Sequence, residues 1–325
     1  MCIRDRGRED CPAGERHCGS PDGERDLKKG HSHLLAPKIE RFDFMSQHRL
    51  EFPIEKMAQV LGVSRSGFHK HENREPSERE AEDLRILEEM VSIHEESWFT
   101  YGRPRILAEL NDREIVCGTG RAQKLLRKAG ISVKIKRAFK VTTDSNHDFP
   151  ISPNLLKRNF AASAANQVWV SDITYVRTKA GWLYLCLIVD LFSRKIVGWS
   201  MKNHMETSLV LAALRMAYEK RKPGPGLIFH SDRGVQYASI ECRTQLGLYG
   251  MLSSMSRKGD CWDNACAESI FATLKRELIY RTEFQDQAAA QGLIFQYIES
   301  FYNRQRRHSY LGYLSPDEFE RRKVA

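Results

Sequence analysis

The chain contains no apolar run approaching the roughly 18 residues needed to cross a bilayer, and its opening residues, 1-MCIRDRGRED-10, hold no signal-peptide core. Those absences lead us to expect a soluble, cytoplasmic protein with no membrane partner. Its eight cysteines include no C-x-x-C pair, which argues against a structural zinc site, and Cys186, Cys261 and Cys266 read as free thiols. Acid is missing altogether between Glu114 and Asp144, while the same interval carries Arg121, Lys124, Arg127, Lys128, Lys134, Lys136, Arg137 and Lys140. With a net charge of +9, that one-sided stretch is the footprint of a surface that binds a polyanion, nucleic acid above all. Apolar residues are sparse and without period from 1 to about 48, as in a disordered segment.

What is present is concentrated around three acids. Asp172 stands in 168-VWVSDITYV-176, Asp232 in 227-LIFHSDRGVQY-237 and Glu268 in 260-DCWDNACAESIFATLKRE-277. Alternation puts Val168, Val170, Asp172 and Thr174 on one strand face and Trp169, Ser171, Ile173 and Tyr175 on the other. Leu227 to Phe229 is a buried strand that ends at Asp232, with Gly234 breaking it. Ala267, Ile270, Phe271, Leu274 and Leu278 recur at helical spacing, with Glu268 on the flank of that stripe. Lys275 follows Glu268 by nearly two helical turns, so it points to the same side and can hold a DNA phosphate. Carboxylates gathered together repel one another unless a cation neutralises them, and oxygen-only ligands suit Mg²⁺ or Mn²⁺. A pair of such ions serves in-line phosphodiester displacement. Asp190 reads as a strand-end turn residue rather than a fourth ligand, and His230 as either a border of the site or a structural residue.

Around these acids the chain resembles the second-frame product of insertion-sequence transposases of the IS-three family, whose catalytic domain is similar to retroviral integrase. The likeness rests on 169-WVSDITYV-176, 184-YLCLIVDLFSRKIVGWSM-201, 229-FHSDRGVQYAS-239, 253-SSMSRKGDCWDNACAESIFATLKRE-277 and 301-FYNRQRRHSYLGYLSPDEFE-320, and Asp232 and Glu268 stand at the family's spacing, with 35 residues between them. The resemblance implies that Asp172, Asp232 and Glu268 are the catalytic acids and hold two Mg²⁺ (or Mn²⁺) ions. It also implies an α/β, ribonuclease H-like mixed-sheet domain, preceded by small all-α helix-turn-helix units. The implied activity is 3′-end cleavage and strand transfer. Its partners would be terminal inverted repeats, target DNA, further copies of the chain, and an upstream-frame product joined by frameshift; the location would be the nucleoid when bound to DNA. The order of elements agrees independently: an antiparallel meander over 168–176, 183–189 and 195–201, a helix over 207–220, and a returning parallel strand over 227–231. Two alternatives stand beside this reading, a DNA-binding regulator with an inert integrase fold and a ribonuclease H-like nuclease. The complete set of acids weighs against the first and the helix-turn-helix pair against the second.

The remaining chain divides by composition. Residues 1–48 read as a disordered extension, with 1–44 standing as upstream frame, linker or misplaced start. Residues 49–75 outline a helix-turn-helix, 54-IEKMAQVL-61 and 64-SRSGFHKH-71 about Gly62-Val63, with Ser64 as N-cap. Its second helix presents Arg65, Ser66, His69 and Lys70, to DNA or simply to solvent. Residues 76–143 hold a charged helix, then 101-YGRPRILAELN-111 and 119-TGRAQKLLRKAG-130, with Gly130 as a stop, resembling the family's second helix-turn-helix. Residues 144–160 read as an exposed linker and 161–325 as the catalytic core. In the closing segment Arg304, Arg306 and Arg307 interleave with Tyr302, Tyr310 and Tyr313, which suits a passing DNA strand, while Leu311, Leu314 and Phe319 call for burial.

Overall fold

The computed structural model describes residues 36–132, 150–257 and 264–324, so Lys134, Lys136, Arg137, Lys140 and Cys261 lie outside the described residues. The chain falls into two compact units, Met1–Ala81 and Glu82–Ala325.

In the first unit, α1 (Lys38–Gln47), α2 (Ile54–Val60) and α3 (Arg65–Glu72) close on Phe42, Met45, Met57, Ala58, Leu61 and Phe68. The Ser64 hydroxyl accepts the Gly67 N–H at 3.1 Å, which satisfies one of the orphan donors at the start of α3. The expectation of disorder up to residue 48 fails over α1. Phe42 and Met45, three residues apart, form a small apolar stripe that is buried only against α2 and α3. A helix this polar gains its order from packing rather than from its own composition.

The second unit begins with the bulk of α4 (Glu78–Glu96), followed by α5 (Arg103–Asp112) and α6 (Thr119–Lys128), joined through Ile86, Met90, Ile93, Ile106, Leu110, Ala122, Leu125 and Leu126. Gly130, at φ +66°, ends α6: its N–H bonds to Arg127 and that of Ile131 to Leu126, the two bonds of a Schellman stop. Then come β1 (Val168–Thr178), β2 (Gly181–Asp190), β3 (Ile196–Lys202), α7 (Thr207–Arg221), β4 (Ile228–Ser231), α8 (Val235–Ala238), α9 (Ile240–Leu248), β5 (Leu252–Met255), α10 (Ala265–Glu277), α11 (Gln287–Gln296) with a π-helical turn over Tyr297–Tyr302, and α12 (Pro316–Val324). The strand order is β3-β2-β1-β4-β5, with β1 to β3 antiparallel and β4 and β5 parallel to β1.

Helices cover both faces of this sheet. Trp169, Cys186, Ile188, Val197 and Phe229 pack with α7 to α9, while Val168, Val170, Leu185, Leu187 and Val189 pack with α10, α11 and the π turn. Burial on both sides explains the unbroken apolar run of β2. The mixed five-stranded order with helices on both faces is the ribonuclease H-like arrangement. Gly198 sits where α7 crosses β3: a Cβ there would lie 2.4 Å from the Ala213 carbonyl oxygen, so only glycine fits.

Over its described part, 150–160, the expected linker has no helix or strand and is mostly exposed, but it is tied down at a few points. The Leu155 N–H donates to Ser254 Oγ and the Ser152 hydroxyl to Ser253 Oγ, both at 2.9 Å, and Leu156 is buried. These bonds tie the segment to side chains of β5.

Candidate active site

The parallel register of β1 and β4 sets Val168 beside Ile228 and Val170 beside His230. Continued by two residues, it brings Asp172, within β1, level with Asp232, just past the end of β4, at about 5 Å in backbone spacing. Asp232 Oδ1 accepts the Gly234 N–H at 2.9 Å, turning the chain out of β4 into α8, and Asp172 Oδ1 accepts the N–H of Ile173 at 2.8 Å. Helix α10 lays Ala267, Ile270, Phe271 and Leu274 on the core and leaves Glu268 exposed in its first turn. Lys275, half-buried on the same helix, lies 5.5 Å from the ring centre of Tyr175.

The charges of both other acids reach Asp172. Burial first, then the charge of Asp232 and more weakly that of Glu268, hold the Asp172 carboxyl well above the usual carboxylate range, against the Ile173 N–H and Lys275. Partial desolvation raises Glu268, although its side chain is open to solvent, and burial lowers Lys275 against the opposing pull of Asp172. Among the described residues no group of three or more His, Cys, Asp or Glu side chains closes to metal-holding geometry.

Beneath the acids lies a polar support that sequence reasoning missed. Ser171 Oγ meets the Tyr237 hydroxyl at 2.9 Å and donates to the Leu187 carbonyl at 3.0 Å, with Cys186 Sγ beside it. Tyr237 belongs to the motif around Asp232, but nothing local marks it as the partner of a serine one residue before Asp172. Burial, with the charges of Cys186, Asp172 and Asp232, pushes its phenol well above the ordinary range, so it stays neutral and can donate. His230 is fully buried between Ser254 Oγ (2.9 Å) and Ser256 Oγ (3.4 Å), which decides for the structural role. Asp190, also fully buried, accepts the N–H groups of Asn166 and Phe192 and pairs with Arg221, as a turn residue should.

Several expected DNA contacts are spent on the protein itself. Arg306 is buried and donates two 2.7 Å hydrogen bonds to Glu277 at the end of α10. Arg105 reaches the same carboxylate at 3.3 Å, and the Tyr297 hydroxyl donates to it at 2.7 Å. Arg307 bonds to Glu109 and Asp112, and Tyr302 is buried. The closing segment is thus folded back, clasped by Asn303, whose side chain bonds both the N–H and the carbonyl of Ile196. Arg121 is likewise compensated, by Glu82 and Asp83 of α4. Lys124, Arg127 and Lys128 remain exposed on α6, as do Arg304, Lys70 and Arg65, the last in a surface pair with Glu55 at 3.2 Å.

Comparison with known proteins agrees with this layout. Two family models, both described as integrase core domain, match residues 162–261 and 249–316, and one described as HTH-like domain matches 81–139. The chain is 45% identical over 263 residues to the insertion element IS600 uncharacterized 31 kDa protein of Shigella sonnei, covering 81% of this chain and 97% of that one. It is 39% identical over 287 residues to transposase InsF for insertion sequence IS3A of Escherichia coli, covering 88% and 100%. The HTLV-2 integrase catalytic core domain, solved in complex with magnesium, is similar at 16% identity and a TM-score of 0.37, over 49% of this chain and 98% of that one; the fold assignment rests on the strand order instead. Identity at this level over nearly the whole of both relatives, with an integrase core behind an HTH-like domain, means that the chain belongs to the IS3 family of insertion-sequence transposases.

Proposed function

We propose that this transposase cleaves the 3′ ends of its own element and joins them to target DNA with Asp172, Asp232 and Glu268 as its catalytic acids. The observation that carries the reading is the parallel β1–β4 register, which brings Asp172 level with Asp232, with the charges of Asp232 and Glu268 both bearing on Asp172. The donor set is oxygen-only and self-repelling, which fits Mg²⁺ or Mn²⁺. Asp172 and Asp232 would hold one ion and Glu268 would complete the site of a second. Ions bound there supply activation of the attacking water or 3′-hydroxyl and stabilisation of the leaving oxygen.

The chain's own groups do the rest. Ser171 and Tyr237 fix β1 under the site, so that Asp172 is presented on a rigid strand. The half-buried Lys275 ammonium, in the field of Asp172, orients a phosphate beside the scissile bond. Lys124, Arg127 and Lys128 of α6, with Lys134, Lys136 and Arg137 beyond it, hold duplex phosphates, and Arg65 and Lys70 of α3 do so in the first unit. The duplex would be the terminal inverted repeats. Two ends must be held together for transposition, so a multimer acts, with the upstream-frame product as a fused partner.

The test is Mg²⁺-dependent 3′-end cleavage and joining on DNA from the flanks of this gene. Glu268→Gln should abolish both while leaving DNA binding intact; cleavage retained in that variant refutes the assignment.

A further inference from the structure

We propose that the tip of the β1–β2 hairpin is a stacking platform for an unpaired DNA strand leaving the catalytic acids. This rests on, and deepens, the transposase reading of that site.

The aromatic and basic groups of the closing segment are mostly consumed, Tyr302 by burial and Arg306 and Arg307 by ion pairs. A different aromatic pair stands further along the same β1–β2 hairpin, toward its tip. Trp182 is 47% exposed, although it is the second residue of a strand whose other members are largely buried. The Tyr175 ring meets it edge-on, centres 5.1 Å apart at 84°. Lys275 lies 5.5 Å from the Tyr175 ring centre, so the platform and the candidate phosphate-holding residue share one side chain as a wall. Tyr175 is three residues along β1 from Asp172, about 10 Å at strand rise, and on the opposite strand face, so a nucleic acid strand would pass from the acids to the ring round the edge of β1.

Access and rigidity favour the same use. Strand β4 pairs with β1 only over Val168–Val170, so between there and the Thr178–Phe284 bridge no strand among the described residues covers that edge. The tip itself is held firmly. Thr178 Oγ1 donates to the Gly181 carbonyl at 2.8 Å, Gln287 Nε2 to the Trp182 carbonyl at 2.9 Å, and the Lys179 N–H to Phe284 at 3.0 Å. A ring presented on a fixed hairpin loses little freedom when a ligand stacks on it.

The chemistry selects the occupant. Arg177, cross-strand partner of Trp182, is exposed, as are Lys179 and Arg276; the pairing of Lys179 with Glu283, at 4.0 Å between exposed side chains, is weak. Aromatic faces among cations suit phosphates with free bases between them, and a duplex hides its base faces inside the stack. An apolar protein surface would instead leave these cations unpaired.

The experiment measures binding of the full chain to fluorescein-labelled single-stranded dT12 and to a duplex of equal length, without divalent metal. Trp182→Ala should weaken dT12 binding by roughly 5- to 150-fold, since stacking on one aromatic is worth about 1–3 kcal/mol per base, and should leave the duplex within twofold. Trp182→Phe, which keeps a ring, should retain most of the affinity, and unchanged melting of both variants would show that the fold is intact. If Trp182→Ala binds dT12 within twofold of wild type, or if wild type does not bind dT12, the platform is refuted. Cleavage assays separate this from the parent reading: an active wild type with unaltered dT12 binding in Trp182→Ala sinks the platform alone. Cleavage retained in Glu268→Gln, with dT12 binding weakened in Trp182→Ala, sinks the catalytic reading and keeps the platform.

Discussion

Changing Glu277 to Gln removes one negative charge from a buried site that also holds two guanidinium groups. The Glu277 and Arg306 side chains are 11% and 5% exposed, and Arg105 is 25% exposed. Burial alone would raise the Glu277 carboxyl, but the hydrogen bonds and charge of Arg306, helped by Arg105 and Tyr297, hold it below its ordinary range. Removing one partner of such a buried pair costs about 3–5 kcal/mol, because the other charge is left uncompensated. At about 2–4 °C per kcal/mol for a unit of this size, the melting temperature should fall by roughly 6–20 °C. Arg113→Ala is the comparison, since its partners Glu89 and Glu96 are 42% and 59% exposed and a pair of that kind is worth about 0–1 kcal/mol. Thermal unfolding followed by circular dichroism at pH 7 measures both. A depressed folded-state carboxyl contributes stability that is complete above the unfolded value and is lost as pH falls through the folded one. The gap between wild type and Glu277→Gln should therefore narrow in acid. If Glu277→Gln melts within about 2 °C of wild type at neutral pH, below the smallest shift this cost allows, the clamp does not hold α10 as described.

Asp172 has the opposite sign: with its carboxyl raised, ionisation opposes folding, a penalty absent below the unfolded value that grows until pH passes the folded one. Asp172→Asn should therefore melt higher than wild type in metal-free neutral buffer, with the difference vanishing in acid. Mg²⁺ should stabilise wild type and not the variant, more strongly as pH rises, and equal stabilisation of both would remove Asp172 from the ligand set. On α6, Lys124→Ala, Arg127→Ala and Lys128→Ala should each lower the salt dependence of duplex binding by about 0.9 in the log–log slope for every phosphate that the removed cation neutralises. Arg121→Ala should instead lower the melting temperature and leave that slope alone, because its charge is answered by Glu82 and Asp83. A slope change for Arg121→Ala equal to the others would overturn that distinction.

Local pattern carried most of the architecture. Alternation and turn residues marked β1 to β4, and helical spacing marked α7 and α10. Ser64 and Gly130 marked the ends of their helices, because capping and left-handed turns are decided within a few residues. The acids were legible for the same reason, each embedded in its own short motif. Helix α1 and the docking of residues 150–160 were not. Phe42 and Met45, or Leu156, show no advantage in being ordered until the surfaces that bury them are in place.

The sequence by itself therefore determined the elements that carry the acids, which three carboxylates they bear, and the overall surplus of positive charge. Only the tertiary structure decided how that charge is used. Arg306 meets Glu277, Arg307 meets Glu109, and Arg121 meets Glu82 across long stretches of chain, so their cations serve the fold. It also set Asp172 level with Asp232 through a parallel register, slid Tyr237 under Ser171, and left Trp182 open at the tip of the same hairpin. A charge or a ring becomes available to a ligand only when the folded chain does not cover it, and that depends on neighbours the local sequence does not contain.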